Sequence, residues 1–321
     1  PGGPGPWLRF RTAPRASDLV PISFLFSADI GPNEKLHDIF PGLAVRSEGV
    51  YLHLGDWPYA DKNPAARTVE EFRDKHRQVR SPRAIQEFMW RIPIAPIYDD
   101  HDITNGWTRS LLDRDPDLFA AGMQVWSEFF PLSSTVAYRD FRWGALAHFF
   151  VLDTRRYRDD PDLTAADSRQ FLGGEQYDWL TAGLSGSDAV FKLIVTSVPF
   201  DFNGSVDDWG AYELEKSRLR AFLADSGTEN VIFLTADRHW FAARHLSDGL
   251  REFQVGPLAA GLGMYPEAFP PEVVASALLR NYGAISIAPD LERGIATLRF
   301  TCVDEHHVPV YQEIIEAPLG S

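Results

Sequence analysis

The stretch IPIAPIYDDHD (residues 92–102) decides the fold. Its first half is a short apolar run of the kind that forms a strand buried on both faces. Its second half puts three carboxylates and an imidazole into four consecutive positions. Like charges at that density repel, so something positive must be supplied where this strand ends.

The same arrangement recurs along the chain. ISFLFSA (22–28) runs into Asp29, GVYLHLG (49–55) into Asp56, and NVIFLTA (230–236) into Asp237, Arg238 and His239. LAHFFVLD (146–153) and FKLIVTSV (191–198) read as further buried strands. Helical periodicity lies between them, in TVEEFRDKHRQV (68–79), PRAIQEFMWR (82–91), GGEQYDWLTAGL (173–184) and ELEKSRLRAFLAD (213–225). Strands alternating with helices predict an α/β protein with a substantially parallel sheet. Towards the C-terminus AISIAP, GIATLRFT and VPVYQEIIEA read as a meander, which predicts a second, more antiparallel or mixed sheet. Two sheets packed face to face, with helices outside, accommodate both halves.

Ligands gather at the carboxyl ends of strands in such sheets. One strand-terminal aspartate is a common turn former or helix cap. Four strand ends delivering carboxylates and histidines are a different matter: if they converge, they need cations. Oxygen-rich ligation with one or two imidazoles suits Ca²⁺, Mn²⁺, Mg²⁺ or iron. The single cysteine, Cys302 in the alternating run TLRFTCV, excludes a thiolate-built site and an intrachain disulfide and reads as a buried small residue. Tyr59, three residues beyond Asp56, is either a turn tyrosine or a phenolate ligand, and the second role favours ferric iron.

Composition narrows the partners. The 321 residues, 45% hydrophobic and 13% aromatic, can bury a sizeable core. A formal net charge of −14 argues against a stable nucleic-acid complex or an anionic membrane surface, though bound cations can invert the sign of a local site. No apolar run approaches the ~18 residues of a membrane span, so no transmembrane segment is expected. The opening PGGPGPW has neither a basic start nor an apolar core, so no signal peptide is expected in it. Several features carry little. Asp113, Asp115 and Asp117 mimic a calcium loop, but Leu118 and Gln124 occupy its positions six and twelve. His306 and His307 suit an exposed hairpin turn, and Gly256, Gly261 and Gly263 lack dinucleotide-binding spacing. The sequon Asn203-Gly204-Ser205 is too frequent by chance to weigh.

Taken in order, Asp29, GDWPY (55–59), DDHD (99–102) and ADRH (236–239) resemble the motifs of the metallophosphoesterase (calcineurin-like) superfamily, and within it the PhoD-type alkaline phosphatases. LDTRRYR (152–158), GGEQYDWL (173–180) and FRTAP (10–14) also resemble segments of that family. The resemblance implies a four-layer α/β/β/α sandwich of two mixed sheets over residues 21–321, preceded by an arm, or the remnant of an accessory β domain, over 1–20. It implies a two-metal phosphoester hydrolase, an alkaline phosphatase or phosphodiesterase acting on small-molecule phosphate mono- or diesters by in-line attack of metal-bound hydroxide. Asp29, Asp56, Tyr59 and His239 would hold the first metal, Fe³⁺ if Tyr59 acts as the similar tyrosine of purple acid phosphatases does. Asp56 would bridge to a second metal held by Asp100 and Asp237, with Ca²⁺ expected and Mn²⁺, Mg²⁺ or Zn²⁺ as other occupants.

His101 would protonate the leaving oxygen or bind phosphate, with Asp102 orienting it, or make a structural hydrogen bond. Arg238 would contact phosphate or neutralise the acids, and Asn105 would contact phosphate or form an Asn-Gly turn. The chain departs from the pattern in three places. VTSVPFDF (195–202) lacks the histidine of the Val-x-x-His motif, no cysteine stands near the first motif, and Gly106 follows Asn105. The family favours a secreted or periplasmic setting. Rival readings are a phospholipase D-like phosphodiesterase, a metal-free glycosidase using paired carboxylates, and a calcium-stabilised binding protein.

Overall fold

A computed structural model describes residues 12–134, 136–202 and 205–319. The strands are β1 (Ile22–Ser27), β2 (Val50–His53), β3 (Ile94–Pro96), β4 (Arg139–Trp143), β5 (Ala147–Val151), β6 (Phe191–Val195) and β7 (Val231–Thr235). They continue with β8 (Phe241–His245), β9 (Arg251–Gln254), β10 (Val273–Ala277), β11 (Asn281–Asp290), β12 (Ile295–Asp304) and β13 (Pro309–Pro318). The helices are α1 (Phe40–Leu43), α2 (Val69–Arg80), α3 (Arg83–Arg91), α4 (Leu111–Arg114), α5 (Pro116–Phe129), α6 (Gly173–Ser185) and α7 (Glu213–Asp225).

Two mixed sheets result. One has the order β13-β12-β11-β1-β2-β3, with β1, β2 and β3 parallel and β11 antiparallel to β1. The other has the order β10-β8-β9-β7-β6-β5-β4, parallel through β5, β6, β7 and β9. The C-terminal meander does not build a sheet of its own, because β11 pairs with β1 over Ile22–Phe26 and so extends the N-terminal sheet. Its three strands run ten residues each, longer than the apolar runs suggest, since an antiparallel ladder tolerates Asp290 and Asp304 at its ends.

Strand alternation sorts the core into layers. Phe24 meets Phe149 edge-on at 5.0 Å, and Phe253 stacks on Phe300 at 3.9 Å, so the inner faces of the sheets pack on each other. The neighbouring Phe150, Ile194 and Phe233 point the other way, onto Leu180 and Leu184 of α6 and Leu219 and Leu223 of α7. On the far side Tyr51 of β2 packs on Phe88 of α3 at 5.2 Å. Each such buried aromatic contributes about 1.5–3 kcal/mol. Helices cover both outer faces, giving the four layers.

Local chemistry explains the helix positions. Thr68 and Glu71 form a reciprocal capping box for α2, whose buried Phe72, His76, Val79 and Arg80 fall on one face. The stretch from Asp115 is not a failed calcium loop but the start of α5: Asp115 accepts the Leu118 N–H and Pro116 occupies the first turn. Cys302 is buried. At the 304–308 turn His306 is exposed, whereas His307 folds back to place Nδ1 3.0 Å from the Tyr282 hydroxyl. Residues 12–20 form no strand or helix, and the Asp18 carbonyl accepts the Ala145 N–H at 2.9 Å. Residues 1–11, which carry most of the arm expectation and part of FRTAP, lie outside the described residues, as do Asn203 and Gly204 of the sequon. Among the described residues no helix is long and apolar enough to cross a membrane.

Candidate metal centre

The candidate side chains other than Tyr59 and Asn105 sit just past strand ends: Asp29 after β1, Asp56 after β2, Asp99–Asp102 after β3 and Asp237–His239 after β7. Backbone bonds draw these ends together. The Asp29 N–H donates to the Gly55 carbonyl at 3.1 Å, Ile30 to Asp56 at 2.9 Å, and Ala259 to Asp29 at 2.9 Å. Gly55 is required where β2 and β3 converge, because its φ is +109° and a Cβ there would lie 2.4 Å from the Asp99 Cβ. Of the seven non-glycine residues with positive φ among those described, four are Asp29 (64°), Asp56 (61°), Asp237 (74°) and His239 (60°). Each such conformation costs about 1–3 kcal/mol, and that cost is concentrated on the residues that aim donors inward.

The donors form a continuous chain. Asp29, Asp56 and His239 present atoms within 4.8 Å of one another; so do Asp56, Asp100 and His101, and so do Asp99, Asp100 and Asp237. Asp56 belongs to the first two groups and Asp100 to the last two. The Tyr59 hydroxyl donates to Asp29 Oδ1 at 3.2 Å and lies 2.9 Å from His239 Nε2, which is itself 3.2 Å from Asp29 Oδ1. His239 Nδ1 bonds the Gly261 carbonyl. Asp29 Oδ2 is buried with no hydrogen-bond partner among the described residues, and a Cβ on Gly256 would come within 2.6 Å of it. Gly256 therefore serves the centre by being small.

Electrostatics say what this knot lacks. Burial, then the charges of Asp100, Asp99 and Asp29, raise the Asp56 carboxyl well above the usual carboxylate range. Burial followed by Asp99 and Asp207 does the same to Asp237. The Tyr59 phenol is raised by burial and by Asp29 and Asp56. Burial opposes charge on His239, but Asp29 outweighs it and lifts the imidazole to about 9. Protons here stand in for positive charge. A set of oxygens and imidazoles with one orphaned buried carboxylate oxygen fits hard or borderline cations.

His101 does not lean on Asp102. The Asp102 carboxylate instead accepts backbone N–H groups from Asp56 and Asp99, both at 2.8 Å, and from Trp57 at 3.4 Å, tying the β2 and β3 loops together. His101 Nδ1 lies 2.8 Å from Asp61 Oδ2. Burial disfavours its charged form, but Asp61 and Asp100 more than compensate and raise its pKa. Its backbone N–H donates to Asp56 Oδ1 at 3.1 Å and Asp100 Oδ1 at 2.9 Å. Asp100, His101, Asn105 and Asp237 line one cavity of about 440 Å³ with Arg158 and Arg238. Arg238 lies 3.3 Å from Asp237 and 4.7 Å over the Phe202 ring, while exposed Asn105 donates its backbone N–H to Asp61 at 3.0 Å.

Sequence reasoning missed four members. Fully buried Arg155 grips Asp99 at 2.5 and 2.9 Å and Asp207 at 2.6 and 2.8 Å, and lies 3.6 Å from Asp100. Arg158 also bonds Asp207. With Asp61 these residues supply charge balance that composition cannot reveal. LDTRRYR follows β5 as the other motifs follow their strands, so the strand-end rule was the available signal for the two arginines. The Gln176 amide, in GGEQYDWL, clamps both backbone groups of Asp153, at 2.8 and 2.9 Å, at the start of that arginine turn. Where the Val-x-x-His motif is missing, Ser197 donates to Asp99 Oδ1 at 2.7 Å.

Two face-to-face mixed sheets under helices, with acids, a tyrosine and a histidine gathered along one edge, define the metallophosphoesterase type of fold. Solved structures of that kind superpose on the chain. One described as the structure of PhoD matches with a TM-score of 0.81 at 20% identity, covering 95% of this chain and 74% of the other. A purple acid phosphatase from yellow lupin (Lupinus luteus) seeds matches with a TM-score of 0.66 at 12% identity, covering 96% and 56%. A dimetal phosphatase from Danio rerio matches with a TM-score of 0.51 at 14% identity, covering 93% and 99%. The chain belongs to the PhoD-like phosphatase family, whose model matches residues 36–299. It is also 26% identical over 287 residues to alkaline phosphatase D of Bacillus subtilis (strain 168), covering 74% of this chain and 49% of that protein. The chain thus spans about half the length of that relative.

Proposed function

We propose that this chain hydrolyses small-molecule phosphate esters at a two-metal centre in which Asp56 is shared. The observation that carries this reading is the membership of Asp56 in two neighbouring donor groups. Asp29, Asp56, Tyr59 and His239 would hold one ion, and Asp56, Asp100 and Asp237 the other. Because burial and two carboxylates raise the Tyr59 phenol, only a strongly acidic ion would take its proton, which favours Fe³⁺ there. The all-carboxylate second set favours Ca²⁺, with Mn²⁺, Mg²⁺ or Zn²⁺ as weaker fits. When bound, the ions would supply Lewis acidity towards a phosphoryl oxygen and water.

The chain's own groups do the remaining work. Arg238 and Asn105, on the cavity wall, bind the phosphate oxygens and set the ester's orientation. His101 faces the same cavity and supplies a proton to the departing oxygen. Asp102 holds the two loops in register. A glycosidase would need its acid and nucleophile facing each other across an open cleft, whereas these carboxylates form one buried knot.

The test is metal analysis and a visible spectrum of purified protein, with p-nitrophenyl phosphate turnover before and after chelation. Bound iron, a tyrosinate charge-transfer band and loss of turnover on exhaustive chelation are expected. Turnover that survives complete metal removal would sink the reading, and iron-free, fully active protein would remove the ferric assignment alone.

A further inference from the structure

Three arginines stand beside the centre, and they are held in two different ways. Arg155 directs its guanidinium at Asp99 and Asp207, and Arg158 bonds both the carboxylate and the carbonyl of Asp207. Donors engaged like this are not available to a ligand. Arg238 has one side-chain hydrogen bond among the described residues, from Nη1 to Asp237 Oδ2 at 3.3 Å. Its guanidinium carbon lies 4.7 Å over the centre of the Phe202 ring, and its side chain, 21% exposed, stands on the wall of the cavity it shares with Asp100 and His101.

A ring and a carboxylate fix a guanidinium by different means. The carboxylate accepts its N–H groups, whereas the ring face attracts the cation through its quadrupole and accepts none of the in-plane donors. Arg238 is therefore held in place with donors still free for the oxygens of an anion. Its other partner, Asp237, directs its charge to a metal ion in the proposed scheme, which leaves the ring as the hold that persists when the ions are bound.

Phe202 is itself firmly placed. It lies in the stretch after β6 where the Val-x-x-His histidine is missing. The fully buried Glu252 of β9 accepts the N–H groups of Phe200 at 3.0 Å and Asp201 at 2.9 Å, and Lys216 of α7 lies 2.7 Å from the Asp201 carboxylate. Trp240 meets the Phe202 ring edge-on at 5.9 Å and is backed by Tyr265 at 5.6 Å and Phe269 at 5.4 Å. Arg244, 5.9 Å from the same ring, is tied elsewhere, to buried Glu252 at 3.3 Å and to Gln254 at 2.9 Å.

We propose that Phe202 is the positioning residue for Arg238, an aromatic platform that holds the guanidinium on the cavity wall with its donors free, and so sets the affinity for the phosphate group. The inference rests on the phosphate-ester hydrolysis proposed above, in which Arg238 contacts the ester. Phe202 touches neither substrate nor metal in this scheme; it acts through the guanidinium.

The experiment compares metal-loaded wild type, Phe202→Leu, Phe202→Tyr, Arg238→Met and the Phe202→Leu/Arg238→Met pair, by turnover of p-nitrophenyl phosphate and by calorimetric titration with inorganic phosphate. Phe202→Leu keeps the bulk and removes the π face. It should lower kcat/KM and weaken phosphate binding about three- to tenfold, with most of the change in KM. Phe202→Tyr keeps the face and should stay within about twofold of wild type on both measures. In the Arg238→Met background the leucine substitution should change either measure less than about twofold. A Phe202→Leu protein that binds phosphate as wild type does, a tyrosine variant as impaired as the leucine one, or a full leucine effect without Arg238 would overturn the platform and leave the hydrolase reading intact. A metal-loaded wild type that neither turns over the ester nor binds phosphate would overturn both.

Discussion

The two ends of the donor chain solve the same problem differently. Among the described residues the Asp29 carboxylate has the Tyr59 hydroxyl and the His239 imidazole as side-chain partners of one oxygen, and its other oxygen has no hydrogen-bond partner. Around Asp99 the protein supplies its own cation, since Arg155 spans Asp99 and Asp207 and Arg158 reinforces Asp207. The first end is left for an ion to complete. The second is already partly neutralised, so an ion there should bind less tightly and exchange more readily.

Substitutions can break that contrast, and the largest effect should come from Asp56, which the proposed scheme shares between the two ions. Asp56→Asn is expected to lower kcat on p-nitrophenyl phosphate on the order of ten-thousandfold, about 5 kcal/mol of barrier, with both metals depleted in elemental analysis. Arg155→Met leaves buried Asp99 and half-buried Asp207 without their main counter-charge and should cost about 3–5 kcal/mol of unfolding free energy in urea melts. Neither Asp29 nor His239 touches that guanidinium, so the first metal should stay bound in the surviving folded protein. Tyr59→Phe probes the other end: it should abolish the visible band and lower kcat about ten- to a hundredfold while stability changes little.

The smallest effect concerns acid. Burial alone would raise the Asp207 carboxyl, but Arg155 and Arg158 hold it below its ordinary value. A depressed folded-state pKa means the pair's stabilisation is complete above about pH 4, the unfolded value, and is lost as pH falls below it. Asp207→Asn should therefore be less stable than wild type at pH 7, and the gap should narrow below about pH 4. A gap that stays constant across that range would show that Asp207 is not the charge Arg155 needs.

Much of this is legible in the sequence. The strands ending at Asp29, Asp56, Asp99 and Asp237 and the helices α2, α3, α6 and α7 follow from period, with a capping box added at α2, because those signals are local. Helix α5 carries its start signal in Asp115-Pro116, which the even spacing of Asp113, Asp115 and Asp117 disguises as a metal loop. Strands β4 (RDFRW) and β8 (FAARH) are as long as β5, β6 and β7, but they mix arginine with apolar residues, so no continuous apolar run marks them. Within the centre, the wrong partner for His101 shows the limit most clearly. Asp102 is its neighbour in sequence, yet Asp61, forty residues earlier, is its neighbour in space.

The order of motifs and the apolar runs by themselves determined an α/β sandwich and the set of acids, tyrosine and histidine that its strand ends deliver. Those properties depend on residue type and short-range spacing. Only the tertiary structure decided that the meander extends the first sheet, that Asp56 lies in two donor groups, and that Arg155, Arg158 and Asp61 supply the balancing contacts. Each of these is a meeting of residues tens to hundreds of positions apart. What brings them together is the packing of two sheets, which no local window of the chain encodes.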